Sequence, residues 1–242
     1  MSIIVDVALI SPYLEHVTDE VRESTGVVEA RAGRAASRRR GSLSKGDRRE
    51  QAILDGAREL LQTQPIDRLT VDALASAAGI SRSSFYFYFD SKQAVLVALL
   101  GGLWQEQATL ADRGWLSASG PEVHLLRDAV STSVRMWREH GPLLRHAMLT
   151  EDPDPAILAF RTRIMSGYVE RASARIRRDQ AAGLTPTGPP DPENLAAMTY
   201  YVELTTLASA TTGPGATCGP DADAYLIDSL TNVRLRMLYG TP

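Results

Sequence analysis

Thr70-Val-Asp-Ala-Leu-Ala-Ser-Ala-Ala-Gly79-Ile80-Ser81-Arg-Ser-Ser-Phe85-Tyr-Phe-Tyr-Phe89-Asp-Ser-Lys92 is the stretch on which the fold turns. Thr70 precedes Val71, Leu74 and Ala75 as a helix N-cap, its hydroxyl placed to accept from the first-turn N–H groups, although Ala73 does not complete a capping box. Ala78-Gly79-Ile80 supplies the turn, where Gly79 permits a backbone conformation that a β-carbon resists. Ser81 caps a second short helix that runs through the aromatic cluster to about Tyr88. Two short helices locked across a tight turn by Leu74, Ala75 and Ile80 have the build of a helix-turn-helix, whose second helix enters a DNA major groove.

Upstream, Ile53, Leu54, Ala57, Leu60 and Leu61 form the stripe of an amphipathic helix that begins near Asp47 and stops before Pro65. Downstream, Asp90 or Ser91 caps a helix reaching roughly Asp112. The remainder reads as helices at about 122–140, 142–150, 155–181, 192–211 and 221–238, separated by breaks rich in Gly, Pro, Ser or Asp. Strand alternation, internal repeats and sustained heptads are not found. The expected fold is all-α with nine helices: an N-terminal three-helix helix-turn-helix domain over 47–93 and a larger helical domain over 94–242. Residues 1–46 are expected to be a disordered extension ending in a basic arm.

The 242 residues carry a net charge of −3, unevenly spread. Residues 1–30 hold six acids and one base, whereas residues 31–95 hold twelve bases and seven acids, a local surplus of five positive charges. Screening over about 8–10 Å hides the distant negative regions, so the middle segment can attract phosphate on an acidic protein. A solvated arm is the alternative reading of the same charge.

Other function classes find little support. A single cysteine, Cys218, excludes an intrachain disulfide and a multi-cysteine metal site, and fits a reducing compartment, with cytoplasm the default. No run of about 18 apolar residues occurs, and Ile3–Ile10 is short and contains Asp6, so neither membrane association nor a secretion signal is expected. His16, His124, His140 and His146 lack metal-ligand spacing, and no phosphate loop, nucleophile elbow or HExxH sequence appears. No enzymatic activity, catalytic residue, metal or cofactor is expected.

On the second short helix, Ser81, Arg82, Ser83 and Ser84 lie at the end that approaches base edges, while Tyr86, Tyr88 and Lys92 suit phosphate oxygens. Tyr86 divides evenly between surface packing and DNA contact on its residue type alone, and Lys92 reads otherwise as a surface lysine. Phe85 and Phe89 read as core.

Phe85-Tyr86-Phe87-Tyr88-Phe89-Asp90-Ser91-Lys92 after Ala78-Gly79-Ile80-Ser81 resembles the signature of the TetR family of transcriptional regulators, in its EthR-like branch. The close match covers about 47–100; beyond it the likeness is one of helix order and of the closing Leu238-Tyr239-Gly240. The resemblance implies that Tyr86, Thr70 and Lys92 meet phosphates and that Arg82 to Ser84 face bases. Many relatives carry His at the position of Tyr88, so its contact follows less directly. The resemblance also implies a ligand tunnel lined by Trp137, Phe160, Tyr168, Thr199 and Val202; by residue type alone, Thr199, Glu203 and the tyrosine hydroxyls suit the orienting of a small apolar ligand in a pocket between helices. Core filling is the alternative for these positions. Arg234, where a relative has a large apolar side chain, is either an anion handle or a surface arginine.

The last two helices read as a pairing surface, with Leu195, Met198, Val202 and Ser209 on one and Leu226, Leu230, Val233 and Met237 on the other; a monomer packing these faces internally is the alternative. A two-fold homodimer would set two recognition helices about 34–36 Å apart, one DNA turn. The expected function is a dimeric repressor that binds operator DNA and is released by a small apolar ligand. The alternative is a non-specific architectural DNA-binding protein driven by the arginine arm, with steep salt dependence and little sequence discrimination.

Overall fold

The computed structural model describes residues 45–151, 153–212 and 216–240. The expected arm and the stretch before it, residues 1–44, lie outside the described residues. Among the described residues there are eight α-helices, one 3-10 turn and no strand, so the described part of the chain is all-α. The helices are α1 (Lys45–Thr63), α2 (Val71–Ala77), α3 (Arg82–Phe85), α4 (Lys92–Arg113), α5 (Val123–Leu149), α6 (Pro155–Ala181), α7 (Pro192–Thr212) and α8 (Pro220–Tyr239), with the 3-10 turn at Ile66–Arg68. No helix of the described residues is long and apolar enough to cross a membrane. The packing below is that of the unit Ala52–Pro242.

Local sequence accounts for the element ends. The Thr70 hydroxyl accepts from Ala73 N–H at 3.2 Å, and the Ser81 hydroxyl accepts from Ser84 N–H at 3.1 Å, so both helices of the motif are capped by their own side chains. Gly79 takes φ +63° in the turn between them. The second of these helices is shorter than the expected run to Tyr88. It ends at Phe85, because Phe87 N–H and Tyr88 N–H bond three residues back, to Ser84 and Phe85, and tighten the chain out of α geometry. Ser91, rather than Asp90, caps α4, accepting from Ala94 N–H at 3.1 Å.

The expected helices 122–140 and 142–150 are a single element, α5, kinked at His140 (φ −128°, ψ 17°). Pro142 withholds an N–H and crowds the preceding turn, which bends the helix without ending it. Gly141 lets the bend approach α7, since a β-carbon there would collide with the Thr212 methyl.

α5 is the centre of the bundle, touching α4, α7 and α8, while α6 lies along α7 and also meets α4. One apolar cluster runs from Ile53, Leu74 and Phe85 through Leu96 and Leu100 of α4 to Val134, Trp137 and Phe160. A second, formed by Trp115, Leu126, Ile176, Leu235 and Tyr239, closes the other end. Into this second cluster is set a buried polar clamp. Arg175, fully buried, donates to Asp179 at 2.8 Å, to the Gly120 carbonyl at 2.8 Å and to the Trp115 carbonyl. The Tyr239 hydroxyl bridges Asp179 at 2.9 Å and the Gly120 carbonyl at 3.0 Å, and accepts from the Trp115 indole at 3.1 Å. The α4–α5 connection is therefore tied to α6 and α8 by a network that satisfies its own buried charges.

Candidate nucleic-acid interface and an interior polar site

The motif presents its polar side chains outward from an apolar anchor. Phe85 is fully buried and Phe89 nearly so, whereas Tyr86 is 45% exposed and Phe87 86% exposed. Arg82 lies on the exposed side of α3 with its guanidinium 2.7 Å from Asp72 of α2. A hydrogen bond to Tyr86, one turn on, and the Asp72 carboxylate both raise the Arg82 pKa above its ordinary value. Arg82, Tyr86 and Asp72 thus form one exposed cluster spanning both helices of the motif, and Asp72 is the member that residue type alone did not single out.

Ser83 and Ser84 behave differently. Their hydroxyls lie 2.9 and 2.8 Å from that of Ser81, so the three serines form one hydrogen-bonded group at the start of α3. Ser83 is exposed and Ser84 half-buried. Tyr88 is half-buried on the first apolar cluster. Lys92 donates its ammonium to the Leu69 carbonyl at 3.0 Å, which brings it beside exposed Thr70 although the two are distant in sequence. Of the three N–H bonds on that ammonium this contact uses one. Thr70→Ala removes the α2 cap and is expected to cost about 0.5–2 kcal/mol of stability, read as a lower urea midpoint.

The positions expected to line a ligand tunnel fall into three places. Trp137 and Phe160 are buried in the first apolar cluster, with Phe160 edge-on to Trp104 at 5.5 Å between ring centroids. Tyr168 and Thr199 meet across α6 and α7, their hydroxyls 3.4 Å apart. Val202 is half-buried and shares a helical face with the exposed Met198 and Thr205. A cleft of about 220 Å³ lies elsewhere, between the 3-10 turn, the start of α4 and the α5–α6 connection, where Lys92, His146, Asp154 and Ile157 line it.

Arg234 is not a surface arginine. It is 5% exposed, and donates to Glu203 and to the Tyr168 hydroxyl, each at 2.7 Å. Burial works to lower its pKa, but Tyr168 and Glu203 outweigh that and hold the guanidinium charged, above its ordinary value. Its Nε and the nearby Tyr200 hydroxyl are both buried without a hydrogen-bond partner. Burial, reinforced by Tyr201 and Glu203, pushes the Tyr200 phenol well above its ordinary pKa, so it is a neutral hydroxyl.

The expected pairing faces need correction at three leucines. Leu195, Leu226 and Leu230 are buried within the chain's own core, because the apolar faces of α7 and α8 turn toward α5 and α6. The exposed residues are instead Met198, Thr205 and Ser209 on α7, and Tyr225, Asn232 and Val233 on α8.

Residues 53–99, which contain the whole motif, match the family model described as bacterial regulatory proteins, tetR family. The transcriptional regulator EthR of Mycolicibacterium smegmatis is 29% identical over 204 residues, 84% of this chain and 92% of that protein. Among solved structures, the chain superposes on FadR of Bacillus subtilis with a TM-score of 0.61 at 16% identity, covering 79% of this chain and 99% of that one. It superposes on NalD of Pseudomonas aeruginosa with a TM-score of 0.62 at 17% identity, covering 81% and 98%. The self-capped motif with its exposed Arg82 and Tyr86 thus lies within the part of the chain that matches the tetR family model, and the chain is similar over most of its length to a helix-turn-helix transcriptional regulator.

Proposed function

We propose that the protein is a cytoplasmic, ligand-responsive repressor that binds operator DNA as a homodimer through the domain at 47–93 and is released when a small apolar ligand enters the domain at 94–242. The observation that carries the DNA reading is the disposition of α3. Phe85 fixes the helix from beneath while Arg82 and Tyr86 stand outside it. Arg82 at the start of a recognition helix can address a base edge, and Ser83 and Ser84 have hydroxyls able to exchange their bonds to Ser81 for base contacts. Thr70, Tyr86, Tyr88 and Lys92 hold phosphates and set register. Thr70 and Lys92 flank the same carbonyl, so one phosphate can engage both.

The pairing surface is the exposed side of α7 and α8, where Met198, Ser209, Tyr225 and Val233 offer apolar and small side chains for a two-fold bundle. The ligand reading is supported by relatives. The FadR structure is a complex with stearoyl-CoA, and NalD is the secondary repressor of a multidrug efflux pump. Trp137, Phe160, Tyr168, Thr199 and Val202 are the lining positions in this reading. The same apolar cluster touches the α3 anchor, α4 and Phe160, so a ligand that repacks it shifts α4 and the recognition helices together. By linkage, operator DNA weakens the ligand by the factor by which the ligand weakens DNA.

Fluorescence-anisotropy titration against the protein's own upstream intergenic DNA and a scrambled duplex, at two salt concentrations, tests this reading. Selective binding is expected. Equal weak binding to both duplexes, lost when residues 1–46 are deleted, would instead assign an architectural role to the arm. Arg82→Ala is expected to weaken operator binding by roughly 5- to 150-fold and to relax selectivity at one base pair. An equal loss on operator and scrambled DNA would make Arg82 a phosphate contact.

A further inference from the structure

We infer that Arg234 Nε and the Tyr200 hydroxyl form the head-group site for a neutral ligand that carries a carbonyl-type oxygen on an apolar body. This rests on the ligand-responsive reading and names the chemistry of its ligand. Both atoms are buried and neither has a partner, a condition that folded proteins avoid unless a bound molecule completes it. They belong to one neighbourhood: the Tyr168 hydroxyl accepts from Arg234 at 2.7 Å, and the Tyr168 ring lies 5.3 Å from that of Tyr200.

Charge decides what kind of group is missing. Glu203 already matches the Arg234 guanidinium at 2.7 Å, with both side chains largely buried. An added carboxylate would face Glu203 in a low-dielectric interior, so the two unpaired donors call for an acceptor without charge. A carbonyl oxygen has two lone pairs to offer Nε–H and the phenolic O–H, while an alkyl group satisfies neither. The apolar body has aromatic walls available: Trp115 lies beneath the guanidinium at 5.6 Å, and Tyr200 stacks edge-on against Tyr201 at 5.8 Å. Tyr168, Tyr200 and Tyr201 are each only half-buried, so rotation of these rings gives a ligand its way in.

The test titrates the full chain with three probes of the same carbon skeleton, propiophenone, propylbenzene and 3-phenylpropanoate, by ligand-observed NMR. Propiophenone is expected to bind about tenfold more tightly than propylbenzene, the combined net worth of its two hydrogen bonds. Tyr200→Phe, which keeps the ring and so preserves the fold, is expected to remove most of that advantage and leave propylbenzene unchanged. Equal binding of ketone and hydrocarbon, tighter binding of the carboxylate, or an equal effect of Tyr200→Phe on both would overturn the proposal. So would an ordered water as the only partner, seen as a lower thermal midpoint of unliganded Tyr200→Phe without any ketone preference. Operator anisotropy on the same samples separates the two readings. Ketone binding that depends on Tyr200 but leaves DNA affinity intact sinks ligand release and keeps this site; release by the hydrocarbon as readily as by the ketone does the reverse.

Discussion

Arg175→Met lowers the free energy of unfolding by about 3–5 kcal/mol, the cost of stranding a buried charge. Asp179, with a side chain 3% exposed, loses its cation and keeps only the Tyr239 hydroxyl at 2.9 Å and Gly120 N–H at 3.3 Å. The carbonyls of Trp115 and Gly120 lose a charged donor, and the connection between α4 and α5 is left tied to α6 only by Gly120 N–H on Asp179 and by Arg178 on the Leu116 carbonyl at 2.9 Å. Urea denaturation followed by circular dichroism measures the loss. Arg175→Met combined with Asp179→Asn, which removes the stranded charge but retains an acceptor, recovers part of it, with a coupling of about 0.5–3 kcal/mol. A single-variant loss below about 1 kcal/mol would mean that water reaches Asp179 and that the clamp is not closed.

The clamp also marks the limit of what the sequence discloses. Arg171, Arg175, Arg177 and Arg178 alternate along α6 like a solvated charge run, and nothing in their spacing tells which one turns inward. The choice is made by carbonyls 55 and 60 residues away, at Gly120 and Trp115. Arg234 shows the same blindness: its partners Glu203 and Tyr168 are 31 and 66 residues distant. The pairing leucines failed for a related reason. Periodicity shows that Leu195, Leu226 and Leu230 need an apolar neighbour, but not whether that neighbour is the chain's own core or a second copy. By contrast, Thr70, Gly79, Ser81 and Ser91 act on backbone groups within three residues, so their roles in capping and turning were readable from local order alone. The candidate DNA-facing side chains sit on that locally determined motif, which is why their placement was legible while the interior polar site was not.

The aromatic run gives the second large effect, because neighbouring phenylalanines take opposite environments. Phe85→Ala costs about 3–5 kcal/mol, since a fully buried ring is replaced by a cavity at the junction of α1, α2 and α3. Phe87→Ala, two residues on, stays within about 0.5 kcal/mol, because Phe87 is 86% exposed and has little packing to lose. The pair isolates anchoring from composition: both variants delete the same side chain from the same five-residue run. Along the tightened turn after Phe85, Phe87 stands out of the core while Phe89 returns to it. A continuous α-helix would have placed residues 85 and 89 on one face as well, so the exposure of Phe87 alone does not distinguish the two geometries, but the stability of the variants tests the anchor in either. In the Phe85→Ala protein the recognition helix loses its footing, and operator binding falls with the fraction of correctly seated motif. Comparable losses of stability in the two variants would show that Phe87 is packed and that α3 sits differently on its neighbours.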